Sequence, residues 1–209
     1  FNGFGLVAHS GALVTALRVR VRHVSAAGML GEGAGSLLKA TRVLVDGTRT
    51  VGNDGFGAQA WLGAKLVLQS VRLHGNREVG LTANGSGTSV VARGLVVDGT
   101  LPSTASVVQG LGIAASNGAH VELFGTVSIG NRHAALAAAH LGTQLVARGV
   151  VTADTVADSS SSFIGTGLNV ILGAQALLTG ARLSRGQLAG LFCSGAGTRV
   201  GLSDCVIDA

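Results

Sequence analysis

Gly57–Val79, GAQAWLGAKLVLQSVRLHGNREV, runs directly into Gly80–Thr100, GLTANGSGTSVVARGLVVDGT. Within each half, apolar residues recur at every second position over short segments, which is the periodicity of a strand. Each segment breaks on glycine, the residue that most readily takes the backbone conformations of turns. The two halves read as successive coils of one repeating unit.

The same phrase recurs outward in both directions. Coils begin at Gly5, Gly28, Gly57, Gly80, Gly112, Ala135, Gly167 and Gly190, at spacings of 23, 29, 23, 32, 23, 32 and 23 residues. Short and long spacings alternate, so the true period is a pair of coils. A corner glycine agrees: it falls six residues into odd coils (Gly11, Gly63, Gly118, Gly173) and seven into even ones (Gly35, Gly87, Gly142, Gly197). Self-similarity at such a period marks a solenoid, in which each unit buries its apolar face only against its neighbours.

Alternation names the inward ladders. The second position of the coils supplies Leu6, Met29, Ala58, Leu81, Ile113, Leu136, Leu168 and Leu191; the fourth supplies Ala8, Gly31, Ala60, Ala83, Ala115, Ala138, Val170 and Cys193. Past the corner come Val14, Leu38, Leu66, Val90, Val121, Leu145, Ala176 and Val200. A last segment gives Val45, Leu73, Val97 and Leu183 and, in the fifth coil, Val127 and Ile129. The stretch HAALAAAHL, His133–Leu141, has the propensity of a helix, but its phase matches the neighbouring coils and predicts a strand.

Coil length and ladders resemble the right-handed parallel β-helix of pectate-lyase-like proteins over essentially the whole chain. The resemblance implies an all-β solenoid of about eight coils, with an insertion loop after every second coil. From the residues at its ends, one domain over residues 1–209 is expected as a segment of a longer solenoid: Phe1 opens inside the closing phrase of an insertion, and Asp208 stands where a further insertion would begin.

Composition suits a narrow layered core. The 209 residues include 34 Gly, one Pro, one Trp and no Tyr, so small and β-branched side chains must fill the interior. The formal charge is +5, yet charged residues are only 12% of the chain and form no dense basic run. This argues against a specific nucleic-acid partner and leaves an acidic glycan or cell-surface polymer as the charged partner expected. No apolar run reaches the length of a membrane-spanning helix. Cys193 and Cys205, facing inward, are read as buried small hydrophobes, with a disulfide across the coil as the alternative.

Even coils close on an acidic turn: Asp46-Gly47-Thr48, Asp98-Gly99-Thr100, Asp154-Thr155 displaced by one, then Asp208. The turn reading has Asp bonding backbone amides while Gly takes positive φ. Odd coils turn instead at Gly75-Asn76-Arg77 and Gly130-Asn131-Arg132. Insertions follow the Asp turns over residues 48–56, 100–111 and 155–166, and their apolar residues are expected to fold back over an outer stripe of Leu44, Val96, Val151 and Val206. On odd coils the same outer position carries Arg20, Arg72 and Arg182. Asp46, Asp98 and Asp154 with these arginines form the candidate ligand surface; Val7, Leu30, Trp61, Ile171 and Phe192, apolar and outward on the first strand, form the candidate assembly face for a lateral partner or a second copy.

Carbohydrate-active β-helices of the polygalacturonase type share NxD, DD, GHG and RxK motifs, and none of them stands here. No carboxylate pair for glycoside chemistry falls on equivalent outward positions of adjacent coils. The six histidines are scattered, with His133 and His140 read as turn and surface residues, and GEGAG at Gly31–Gly35 precedes no helix, so no catalytic, metal or cofactor residues are assigned. The expected function is a non-enzymatic, extracellular or cell-surface rod of structural or adhesive kind. Two alternatives remain open: a glycan-binding or glycan-cleaving β-helix, and a segment that assembles laterally into a filament or sheath.

Overall fold

Three short strands separated by tight corners close each coil into a three-walled loop. In the computed structural model, which describes residues 3–49, 55–102, 110–157 and 165–208, the first coil comprises Phe4–His9, Leu13–Leu17 and Arg20–Arg22. Every later coil repeats this pattern of six, five and three residues, and each type stacks in coil order into its own parallel sheet of eight strands. We term these walls A, B and C. Their parallel, singly connected strands follow the right-handed crossover rule, and the architecture is a right-handed parallel β-helix of eight coils.

The ladders run through the stack in unbroken register. Leu81 lies between Ala58 and Ile113 on wall A, and Leu66 between Leu38 and Val90 on wall B. These side chains are buried and form a single apolar column. Ala134–Ala139 is a wall A strand, because its alanines continue the ladders above and below it. The tertiary register overrides its helical propensity.

One stretch of the interior differs from the expected pattern. In the fifth coil Val96 pairs with Val127 and Val97 with Ser128, so Thr126 and Ser128 point inward while Val127 and Ile129 lie outside. The buried serine is accommodated because it is bonded: its hydroxyl donates to Ala135 O at 2.9 Å and accepts from Asn131 Nδ2 at 3.0 Å. A satisfied hydroxyl removes most of the penalty of burying it.

Two kinds of polar staple explain the two-coil period. At the corner from wall A to wall B, the hydroxyls of Ser36, Thr88, Thr143 and Thr198 on even coils accept the amides of Gly11, Gly63, Gly118 and Gly173 at 2.9, 2.9, 3.0 and 2.9 Å. Each hydroxyl also donates to a carbonyl of its own coil four residues back. The four glycines have φ between 82° and 84°, where a side chain would be strained. These staples join the first coil to the second, the third to the fourth, and so on. Between the first three pairs the tie is asparagine: Asn76 Oδ1 accepts Thr48 N at 3.4 Å, and Asn131 Oδ1 accepts Thr100 N at 3.1 Å. Between the sixth and seventh coils Ser184 Oγ donates to Thr152 O at 3.1 Å and Gln187 Oε1 accepts Ala157 N at 2.6 Å instead. Both asparagines are fully buried, so the GNR corners expected from sequence turn on Gly75 and Gly130 and send the asparagine inward.

Walls A and C meet where each coil begins, and the glycine there is a matter of space. A Cβ on Gly80 would lie 2.2 Å from Val97 Cγ1 and 2.6 Å from Gly112 O. Its repetition in seven of the eight coil starts reflects this close approach.

Candidate functional site

The outer face of wall C carries the charged residues singled out from sequence. Along one ladder Arg20, Leu44, Arg72, Val96, Val127, Val151, Arg182 and Val206 follow one another by register, with arginine on the odd coils as expected except in the fifth, where Val127 takes its place. Two residues further along even coils stand Asp46, Asp98 and Asp208, one rung away from an arginine on the diagonal.

That diagonal is used. Arg20 Nη2 donates to Asp46 Oδ2 at 3.0 Å, with Arg22 Nε at 3.6 Å from the same oxygen. Arg72 donates in bidentate fashion to Asp98, Nε to Oδ1 at 3.0 Å and Nη2 to Oδ2 at 2.9 Å, while His74 Nδ1 approaches Oδ2 at 2.6 Å. Arg182 Nη2 donates to Asp208 Oδ2 at 3.0 Å. In the third pair Val127 and Ala153 take the two positions, and the displaced Asp154 is held instead by Arg185 through Nε at 2.6 Å and Nη2 at 2.9 Å.

The carboxylates are therefore bonded sideways to guanidinium groups, which corrects the expectation that they cap backbone amides. Only the glycine half of the Asp-Gly turn stands, with φ of 69° at Gly47 and 64° at Gly99. A hydrogen bond from Arg20 lowers the Asp46 carboxyl below its ordinary value. At Asp98 burial pushes the carboxyl up, but hydrogen bonds from Arg72 and His74 outweigh it and leave the group lowered. Carboxylates so held are poor general acids and poor bases near neutral pH. Their constant offset from the arginines, 26 residues in all three repeats, is the sequence signal that reveals the pairing.

The candidate assembly face separates into two ladders. Val7, Leu30 and Phe192 lie on one, interleaved with Gln59, Thr82 and Asn169; Trp61 and Ile171 lie on the next, with Glu32, Asn84 and Ser116. Val7 and Trp61 are 40% and 41% exposed, whereas Leu30, on the same outward ladder as Val7, is only 5% exposed. It lines a surface trough together with Phe4, Phe56 and Trp61 of the flanking coils.

Two further expectations are corrected in part. His133 and His140 both sit at turns, with φ of 67° and 73°, and His140 is exposed as expected, but His133 is buried at the corner leading into wall A, where its backbone carbonyl accepts Thr166 N. Cys193, in register with the inward Val170, is exposed and Cys205 is partly so, and both are free thiols rather than a disulfide. The folding of the insertions over wall C concerns residues 50–54, 103–109 and 158–164, which lie outside the described residues. Among the described residues no three His, Cys, Asp or Glu side chains gather as a metal site would require, and no helix is long and apolar enough to cross a membrane.

Sorting charge by wall exposes residues that sequence reading passed over. Wall A strands hold one carboxylate, Glu32, and no Lys or Arg. Wall C strands hold four arginines and three aspartates, the aspartates all in ion pairs. Wall B strands hold five cations, Lys39, Lys65, Arg93, Arg148 and Arg199, against one carboxylate, Glu122, which is bonded to His120 at 2.9 Å. Set beside family models, curated proteins and solved structures, the chain matches none of them.

Proposed function

We propose that this chain is a non-enzymatic β-solenoid that serves as a rigid structural or adhesive rod at the cell surface or outside the cell. The observation that carries the reading is the repeated use of polar groups to hold coils together. Serine and threonine hydroxyls, buried asparagines and Arg–Asp diagonals recur along the stack. A solenoid tied at every step resists local opening and transmits load along its axis, as a rod must.

Incubating the full chain with a panel of neutral and acidic polysaccharides, and following new reducing ends and unsaturated products, tests this reading. The expected result is no release above background. Turnover that disappears in Asp98→Asn would overturn it and make wall C a catalytic surface. A second reading, a glycan-binding module without catalysis, is favoured by the cationic outer face of wall B.

A further inference from the structure

We infer that the outer face of wall B binds a linear anionic polysaccharide laid along the solenoid axis. This deepens the rod reading by giving one wall a ligand class. The five cations named above are exposed, and none has a carboxylate partner among the described residues. By register Lys65 and Arg199 stand on the first outer ladder of the wall, Lys39 on the middle one, and Arg93 and Arg148 on the last. They extend from the second coil to the eighth, about 29 Å at roughly 4.8 Å per rung. A band three ladders wide and this long matches an extended polymer better than a compact ligand.

Two of the arginines are held in place. Arg93 and Arg148 lie on either side of Phe124 by register, with guanidinium carbons 4.3 and 5.8 Å from the ring centroid. Stacking on an aromatic fixes the guanidinium plane while leaving its donors free, and a planar fork suits sulfate or carboxylate oxygens. The pair is two rungs apart, about 10 Å.

Farther along the axis, the ladder Gln144, Gln175 and Arg199 borders a dent of about 340 Å³ floored by Val146 and Leu177. The dent exists because Gly201 brings no side chain to the ladder that Leu177 occupies one coil earlier. Two amides and a guanidinium beside an apolar floor are the donors and the surface that a sugar ring with an acidic substituent requires. Arg18 and Arg42, exposed at the corner from wall B to wall C, add charge at the near end.

The same features disfavour nucleic acid. A single-stranded chain is held by aromatic platforms on which bases stack, and the one aromatic residue in wall B strands, Phe124, already carries two arginines.

The test is binding of a labelled heparin dodecasaccharide to the full chain across a salt series, with desulfated heparin and an oligothymidylate of equal charge as comparison probes. Binding should weaken steeply with salt, and Arg93→Ala/Arg148→Ala/Arg199→Ala should lose at least tenfold in affinity. Arg20→Ala/Arg72→Ala on wall C should stay within about twofold of the parent. If the triple variant fails to fold, the charge-preserving Arg93→Lys/Arg148→Lys serves, with about a threefold loss expected. Unchanged affinity in the folded wall B variants, equal loss in the wall C variant, or tighter binding of the oligothymidylate would each overturn the inference. Shortening of the bound heparin would instead count against the rod reading, since it reports cleavage rather than binding.

Discussion

Walls B and C are built from the same coils, share one core and both carry arginine, yet they use it differently. On wall C each strand aspartate meets an arginine one rung away, and the charge is consumed in joining coils. On wall B the carboxylate on the rung between Arg93 and Arg148, Glu122, is engaged by His120, and the two arginines rest on a phenylalanine instead. Neither residue type nor register alone separates the two uses; pairing does. A charge bonded to its complement on the adjacent rung becomes part of the scaffold, and a charge that is not remains on the surface for a partner.

The largest expected contrast uses the same substitution on two walls. Gly80→Ala, at the meeting of walls A and C, drives a Cβ into Val97 and the Gly112 carbonyl and should cost about 3 kcal/mol in unfolding free energy. Gly201→Ala, on the outer face of wall B, meets only Leu177 Cδ1 at 3.0 Å, the end of a side chain that can turn aside, and should stay within about 0.5 kcal/mol of the parent. Denaturant unfolding of the two variants checks the pair of values.

A second contrast concerns polar side chains. Asn131→Ala removes the acceptor of the buried Thr100 amide and the donor to Ser128, and should cost about 2 kcal/mol. Gln144→Ala, exposed on wall B, should change stability by no more than about 0.5 kcal/mol.

Acid should weaken wall C. Asp46 and Asp98 lie below their ordinary value of 3.8 in the folded chain, so the unfolded chain binds more protons there as the pH falls. Their contribution is present above pH 3.8 and is lost as the pH drops through the folded values. Thermal unfolding at pH 5 and pH 3 should therefore show a smaller difference in Asp98→Asn than in the parent. The smallest effect is expected for Arg93→Ala/Arg148→Ala: stability within about 0.5 kcal/mol, with binding alone affected.

Much of the solenoid was legible because its ladders obey a period of two. Leu81, Ala83 and Val90 could be assigned inward from the Gly80–Thr100 stretch alone, and all three are buried. The reading slipped in the fifth coil, where apolar character pointed to Val127 and Ile129 while bonding among Ser128, Asn131 and Ala135 holds a serine inside. Hydrophobicity along a chain carries no record of a hydrogen bond that burial will satisfy. The charged positions were found, but as a ligand surface, because each arginine and its aspartate are separated by 26 residues and meet only when coils are stacked with a two-residue diagonal. Wall B was missed for the opposite reason. Its five cations are dispersed one to a strand over five strands and become a surface only in the stack.

A double-mutant cycle on Arg72 and Asp98, read as unfolding free energy for Arg72→Ala, Asp98→Ala and the double variant, tests the central claim that wall C charge holds coils together. The bidentate geometry and the 14% exposure of the Asp98 side chain predict a favourable coupling of about 0.5–1 kcal/mol. A coupling indistinguishable from zero would contradict the account and return those residues to the surface as groups free for a ligand.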